Sequence, residues 1–262
     1  MKIKISLIIC FFLFCTAYSG SLYSFAQSYD SRGKFEIIVD PKNKQNISGN
    51  IKIAFAWGEN FYPPINLARG VINLKEAMNR WTKVQTSLDD HLLLSTPKLL
   101  KMPFVFIISD KVFELTPLEK ENMKKYFDNG GFVFLDNPNP KQEISQGQAS
   151  LKQMIRDVIP NATFKPIPND YPLYHAFFDF DVPPYGAEIG FNGNIVSEQV
   201  FYLEGVWYKD RLAAVYSDKG YIVKWNDNEN NEPQLKMGVN LIVFSLIQRG
   251  GIVNKTTIDS VR

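Results

Sequence analysis

Residues 103–137 constrain the fold more than any other stretch, because they contain the pattern of a strand, a helix and a second strand in succession. The run Phe104–Ser109 is apolar on both faces, which is typical of a strand covered by helices on both sides. The run Phe132–Leu135 is a second short apolar segment. A connection of this length favours a parallel pair, since antiparallel neighbours need only a tight turn.

The segment between these runs carries clear signals for both ends of a helix. Thr116 is the expected N-cap, Pro117 occupies the first helical position, and Glu119 completes a capping box. The sequence Asn129-Gly130-Gly131 ends the helix, because glycine adopts the left-handed cap conformation without a Cβ clash. The spacing predicts a buried side formed by Leu115, Leu118, Met123, Tyr126 and Phe127, and a solvated side formed by Glu119, Lys120, Lys124 and Lys125.

The remaining patterns predict one α/β domain with a mostly parallel sheet flanked by helices. Predicted strands are Ile51–Trp57, Val84–Leu88, Thr163–Ile167 and Arg211–Ser217. Tyr221–Trp225 is predicted to continue the last of these after a turn, and Phe35–Val39 is predicted to be an edge strand. Predicted helices are Ile65–Trp81, Gln148–Val158 and Gln234–Arg249. The segment Asp89–Leu100 fits either a helical turn or a strand, and Ile189–Val200 fits a loop or hairpin.

The chain divides into a leader, a polar lead-in, the domain and a tail. Residues 1–26 have two lysines, a short apolar core and a small-x-small site at Ser24–Ala26, which predicts a cleaved signal peptide and an exported, periplasmic or secreted protein. An uncleaved anchor is the alternative. Residues 27–50 form the polar lead-in, 51–254 the domain with an irregular insertion at about 168–210, and 255–262 a polar tail.

Cysteine usage and charge exclude several classes of site and partner. Both cysteines, Cys10 and Cys15, lie in the leader, so the mature chain lacks disulfides, a thiolate nucleophile and cysteine-based metal sites. The formal charge of the whole chain is +2, and Lys2 and Lys4 supply that excess. A nearly neutral mature chain disfavours nucleic acid and anionic membrane surfaces as partners.

Candidate site residues follow from the rule that ligands bind beyond the carboxyl ends of parallel strands. We expect ligand-binding residues directly after these strands or in the aromatic stretch Asp170–Phe180. They are Trp57, Glu59, Asn60, Ser109, Asn137 and Tyr171. The candidate catalytic set is Asp110, Asp136 and His175, provided that the aromatic stretch folds over this edge. Turn capping by the two aspartates and packing by His175 are the alternative roles.

Named chemical motifs are absent from the sequence. It has no Gly-x-Gly-x-x-Gly, no phosphate-binding loop, no His-Glu-x-x-His and no Gly-x-Ser-x-Gly elbow. Asp89-Asp90-His91 is a weak metal pattern and is more typical of an exposed helix start. Ser109 lacks the flanking glycines of a nucleophile elbow. We therefore expect no metal and no cofactor.

Six stretches in this order resemble the bacterial family called domain of unknown function 4159. They are IKIAFAWGENFYPP, PFVFIISD, LTPLEKENMKKYFDNGGFVFLDN, DYPLYHAFFDF, RLAAVYS and GVNLIVFSLIQRGG. The resemblance implies a three-layer, flavodoxin-like fold of the class I glutamine amidotransferase type, export, and a role in an envelope assembly. Where family members often carry Gly-Gly-Asp-Trp-Tyr, this chain has Trp57–Tyr62, and Glu59 is the nearest substitute for that aspartate.

Three functional hypotheses remain open at this stage. The first is an exported, non-catalytic binding or scaffold domain with a protein partner in the envelope. The second is a hydrolase of a glycan or small ester that uses Asp110, Asp136 and His175. The third is a sugar- or peptide-sensing domain with Trp57 and Tyr171 as a stacking wall for a small ligand. Glutaminase chemistry is excluded, since the mature chain has no cysteine.

Overall fold

The structure is a computed structural model that describes residues 36–140, 145–188 and 200–257. All of these residues belong to one compact unit, residues 34–262. The predicted leader, the first part of the lead-in, the segment 189–199 and the end of the tail lie outside the described residues.

The described residues form one large sheet with parallel and antiparallel pairings. Its strands are β1 (Glu36–Val39), β2 (Ile47–Trp57), β3 (Lys83–Leu93), β4 (Phe104–Ile108), β5 (Val133–Asp136), β6 (Lys165–Pro166), β7 (Glu204–Tyr208), β8 (Arg211–Ser217) and β9 (Asn254–Thr257). The predicted parallel pairing of β4 with β5 is confirmed, with Val105 opposite Val133.

The central strands run in the order β3, β2, β4, β5, β8, and all of these are parallel neighbours. β2 is long enough to pair with β3 along one edge, while β1 and β4 share the other edge. The chain leaves β2 for β3 on one side and returns to β4 on the opposite side. The strand order therefore reverses between β2 and β4.

Helices pack on both faces of the sheet. They are α1 (Ala68–Trp81), α2 (Pro117–Asp128), α3 (Gln146–Val158), α4 (Tyr221–Asn226) and α5 (Glu232–Ile247). Successive residues of β4 alternate between two apolar clusters, because side chains of a strand point to opposite faces. Phe104 and Phe106 pack with α1, α4 and α5, whereas Val105 and Ile107 pack with α2 and α3.

The capping box of α2 is confirmed, since the Thr116 side chain accepts from the Glu119 amide and the Glu119 carboxylate accepts from the Thr116 amide. Two predicted orientations on this helix are wrong. Leu118 is exposed and Glu119 is fully buried. The Glu119 carboxylate also accepts hydrogen bonds from the Thr116 hydroxyl and from the Glu59 amide, and these contacts hold it inside.

Several predicted strand boundaries are wrong because pairing with neighbouring strands extends the sheet beyond the apolar runs. β2 begins at Ile47, inside the predicted lead-in, where it pairs with β1. β3 continues into the ambiguous segment as far as Leu93, in parallel register with β2. β9 occupies part of the predicted tail and pairs with β1. β7 lies within the predicted irregular insertion and forms a hairpin with β8.

The predicted strand Tyr221–Trp225 is helix α4. Gly220 has a positive φ of 60°, which turns the chain sharply after β8. The Asp136 carboxylate then accepts a hydrogen bond from the Ile222 amide at 2.8 Å and satisfies a free N–H group of the first turn. The capping residue, Asp136, lies at the end of β5, so the sequence around α4 does not predict this helix.

Candidate functional site

The candidate site lies at the carboxyl ends of β2 and β4, where the strand order reverses. In open parallel sheets this crevice is the usual ligand site. Trp57 is the last residue of β2, and Ser109 and Asp110 follow β4 directly. These residues lie at one edge of the sheet, together with Glu59 and Asn60 in the loop after β2.

A cluster of two aromatic rings, an imidazole and an ammonium group forms the exposed part of this edge. The rings of Trp57 and His91 stack with centroids 4.1 Å apart, and the Trp57 and Tyr62 centroids are 6.5 Å apart. The Lys111 amine lies 4.9 Å from the Tyr62 ring centroid and donates to its hydroxyl at 3.2 Å. We call Trp57, Tyr62, His91 and Lys111 the edge patch.

The edge patch is exposed to solvent, but its innermost residue, Trp57, is held in place by a hydrogen bond. Tyr62 is 53% exposed, whereas Trp57 is half-buried and its indole N–H donates to the Asp90 carbonyl at 2.9 Å. The predicted helix start at His91 is wrong, since His91 lies in β3 next to an irregularity in the pairing with β2. That irregularity allows the strand to present the imidazole to Trp57.

Glu59 and Asn60 shape the loop after β2 and are themselves occupied. The Glu59 amide donates to Glu119 at 2.8 Å, and the Glu59 carboxylate accepts from the Ser95 hydroxyl at 3.0 Å. The Asn60 side chain donates to the Glu114 carbonyl at 3.1 Å. These bonds join the loop to α2 and to the segment after β3, so both side chains position the edge patch.

Ser109 has a turn role rather than that of a nucleophile activated by a neighbouring base. The Ser109 hydroxyl is buried, accepts from the Lys111 amide at 3.2 Å and donates to the Lys111 carbonyl at 3.1 Å. The first turn of α3 packs against this turn so closely that a Cβ on Gly147 would lie 2.0 Å from the Ser109 carbonyl oxygen. The hydroxyl itself is engaged within the turn both as donor and as acceptor.

Asp136 and Asn137 are fully buried at the end of β5. Burial raises the pKa of Asp136 to about 7, although hydrogen bonds from the Ile222 amide, the Ser217 hydroxyl and the Tyr221 amide act in the opposite direction. Asn137 donates to Asp218 at 2.6 Å and accepts from the Asn139 amide at 3.1 Å. Both residues connect the ends of β5 and β8, and neither belongs to the edge patch.

His175 does not lie at the carboxyl edge. Its ring contacts the Asp179 carboxylate at 3.2 Å, and that carboxylate also pairs with Lys44, in the turn before β2. The neighbouring Phe178 makes an edge-to-face contact with Trp81, the last residue of α1, at 5.6 Å between centroids. This end of α1 leads into the start of β3, so His175 lies near the amino end of β2 and β3.

The predicted catalytic set is therefore not assembled. β2 has ten residue steps between its first and last residue, which correspond to about 33 Å. His175 lies near the first end of β2, while the register places Asp136 beside Ile108 near the other end. Hydrogen-bond catalysis needs separations of about 3 Å. The condition for that set, that the aromatic stretch folds over the carboxyl edge, is not met, because the Asn240 side chain of α5 binds its backbone at Tyr174, Phe177 and Phe178.

Tyr171 is also at the amino end and forms no common wall with Trp57. Its hydroxyl accepts from the Trp207 indole at 3.2 Å, and Trp207 pairs with Leu212 near the start of β8. The predicted stacking wall of Trp57 and Tyr171 is wrong. Tyr62 and His91 contact Trp57 instead. The aromatic pair Phe61–Tyr62 is a sequence signal for Tyr62, whereas His91 meets Trp57 only through the pairing of β3 with β2.

Two hollows lie elsewhere on the described surface. A broad one of about 700 Å³ is bordered by Phe178–Phe180, Asn228–Pro233 and Lys236, and shares no residue with the edge patch. A small polar one of about 130 Å³ lies between α3 and the β7–β8 hairpin. Across residues 36–140, 145–188 and 200–257 there is no group of three or more potential metal ligands. Within the same ranges, no helix has the length and apolar character needed to cross a membrane.

A family model described as a domain of unknown function, DUF4159, matches residues 64–246. The chain belongs to the DUF4159 family. The match begins in the loop after β2 and ends one residue before the end of α5, so it covers α1 to α4 and all but the last residue of α5. The loop after β4, with Lys111, lies inside the matched range, whereas Trp57 precedes it.

One solved structure similar to this DUF4159 protein is the crystal structure of a ThuA-like protein from Bacteroides uniformis ATCC 8492. It has 10% sequence identity and a TM-score of 0.39, and the alignment covers 77% of this chain and 94% of that chain. A likeness at this level carries no argument about function. No curated protein matches the chain.

Proposed function

We propose that this protein is an exported, non-catalytic binding or scaffold domain that holds a protein partner of the cell envelope through the edge patch. The observation that carries the proposal is the position of this patch. Tyr62, His91 and Lys111 are exposed and Trp57 is half-buried at the point between β2 and β4 where the order of the described parallel strands reverses. Tyrosine, tryptophan and cationic groups are also the side chains that protein interfaces use as anchors.

We propose a non-catalytic role because the predicted catalytic side chains either form structural hydrogen bonds or lie far from one another. Of the predicted catalytic residues, Asp136 caps α4 and His175 lies near the amino ends of β2 and β3. The Ser109 hydroxyl, predicted as a ligand-binding group, bonds within its own turn. A hydrolase built from Asp110, Asp136 and His175 therefore lacks support from the geometry. The exposed aromatic surface fits binding better than acid–base chemistry.

We also propose the three-layer, flavodoxin-like arrangement for this domain. The order β3, β2, β4, β5, β8 corresponds to 2-1-3-4-5 when these strands are numbered along the chain, which is the flavodoxin-like order. The separation of α1, α4 and α5 from α2 and α3 into two apolar clusters supports the layers. The proposed export rests on the leader pattern of residues 1–26 alone.

A capture experiment with matched tyrosine variants tests the proposed function. Tagged protein lacking residues 1–26 is incubated with envelope extract from the source organism, and bound proteins are quantified by mass spectrometry. Tyr62→Ala is expected to reduce recovery of the specific partner about tenfold or more, since anchor residues contribute about 2 kcal/mol or more.

Tyr185→Ala is the matched control, because Tyr185 is 47% exposed and Tyr62 is 53% exposed. Tyr185 lies outside the edge patch and contacts Phe201 instead. The control variant is expected to recover the partner within about twofold of the unmodified protein, a change well under 1 kcal/mol. Equal recovery by Tyr62→Ala and the unmodified protein would contradict the proposed use of the patch.

A further inference from the structure

The small polar hollow at the end of β8 is separate from the edge patch. It has a volume of about 130 Å³ and is lined by Gln148 and Lys152 of α3, Glu204 and Tyr216 of the β7–β8 hairpin, and Val200, Tyr202 and Asp218. Since one water molecule occupies about 30 Å³ in the liquid, the hollow admits a ligand of only a few non-hydrogen atoms. Its lining is mostly polar, which favours a charged or hydrogen-bonding ligand.

The positive charge in the hollow is already balanced. The Lys152 ammonium pairs with the Glu204 carboxylate, and both side chains are largely buried. The same ammonium lies 4.5 Å from the Tyr216 ring centroid and 5.4 Å from the Phe164 ring centroid. An anionic ligand would have to compete with the Glu204 carboxylate and with these two ring contacts. The hollow is therefore poorly suited to an anion.

The negative charge of Asp218 is not balanced in the same way. Its Oδ1 accepts from Asn137 at 2.6 Å and from the Tyr216 hydroxyl at 3.0 Å. Among the described residues, none donates a hydrogen bond to its Oδ2. Asn137 and Tyr216 are both buried, so they fix the carboxylate in one orientation before any ligand arrives.

We propose that this hollow binds a small primary amine in its ammonium form, with Asp218 as the anionic contact. The pair of Lys152 and Glu204 has no net charge, so Asp218 leaves the lining with one unbalanced negative charge. An ammonium group supplies the balancing charge and donates hydrogen bonds to the Asp218 carboxylate and the Gln148 amide oxygen. The Tyr202 ring provides a further contact of the kind that cations make with aromatic faces.

An NMR titration with ethylammonium chloride tests this proposal on the protein lacking residues 1–26. We expect saturable shifts of the Asp218 amide and the Gln148 side-chain amide, with a Kd on the order of millimolar, because so small a ligand binds no more tightly. Asp218→Asn has nearly the same shape and is expected to raise the Kd about tenfold or more. Asp170→Asn, an exposed control outside the hollow, is expected to leave the Kd unchanged.

Ethanol and sodium chloride are the ligand controls. Equal shifts with ethanol would show that the hollow takes a neutral hydroxyl compound, and equal shifts with sodium chloride would show an unspecific cation effect; either result overturns the proposal. The absence of saturable shifts also overturns it. If Asp218→Asn fails to fold, Glu204→Gln serves as a second variant. Removal of its carboxylate charge is expected to weaken ethylammonium binding, and unchanged binding contradicts the proposal.

Discussion

Replacement of Lys219 by methionine is expected to lower the free energy of unfolding by about 3–5 kcal/mol. The Lys219 and Glu188 side chains form an ion pair and are 0% and 1% exposed, so neither charge is compensated by water. The Lys219 ammonium also donates to the Val200 carbonyl, and the Glu188 carboxylate accepts from the Gly186 amide at 2.7 Å. Loss of the lysine leaves a buried carboxylate without its counter-charge.

Urea unfolding of three variants measures whether the loss of stability comes from the buried ion pair or from removal of any lysine. Lys125→Met is the matched control, because Lys125 and Glu121 form an ion pair that is 53% and 60% exposed. We expect a change of about 0.5 kcal/mol or less for this surface pair. The double variant Lys219→Met with Glu188→Gln is expected to regain a large part of the lost stability, since it removes the isolated charge. A loss below about 1 kcal/mol for Lys219→Met would contradict the burial of this pair.

The free energy of unfolding of the unmodified protein is expected to decrease as the pH rises from 4 to 7, and replacement of Asp136 by asparagine is expected to remove this decrease. Burial raises the pKa of Asp136 from its ordinary value of 3.8 to about 7 in the folded protein. The unfolded chain loses this proton near pH 4, whereas the folded protein keeps it until about pH 7. The stability linked to this proton is fully present below pH 4 and is lost as the pH rises to 7. The pKa difference corresponds to about 4 kcal/mol.

The Asp136→Asn variant avoids this loss because an amide does not ionise, and its oxygen still accepts from the Ile222 amide. Urea unfolding of both proteins between pH 4 and pH 8 measures the effect. We expect similar stabilities near pH 4 and a variant that is more stable by a few kcal/mol at pH 8. Asp170→Asn at an exposed position controls for charge alone. Parallel pH profiles for Asp136→Asn and the unmodified protein would contradict the raised pKa.

The sequence predicts the centre of this fold because its signals there are local. Thr116 and Glu119 are three residues apart, and their reciprocal bonds define the start of α2 without help from the rest of the chain. The two apolar runs on either side of that helix can only be buried, so β4 and β5 follow from composition and length. The same logic places Trp57 and Asp110 at one edge of the sheet.

Contacts between distant residues explain what the sequence does not predict. The six residues of α4 are apolar enough to suit a strand, and the cap that makes them helical comes from Asp136, 86 residues earlier. Glu119 has the usual pattern of a solvated residue, but the Glu59 amide, 60 residues away, holds it inside. The aromatic stretch with His175 lies against α5 because the Asn240 side chain bonds to its backbone. No periodicity encodes such a pairing.

Photo-crosslinking from position 62 tests the central claim, that the edge patch is the binding surface, most directly. A photoreactive phenylalanine analogue replaces Tyr62 in one sample and Tyr185 in another, and both proteins are irradiated in living cells. Because Tyr62 lies in the edge patch and Tyr185 lies outside it, we expect one discrete adduct from position 62 and none from position 185. Adducts of equal yield from both positions, or none from position 62 while position 185 reacts, would contradict the account.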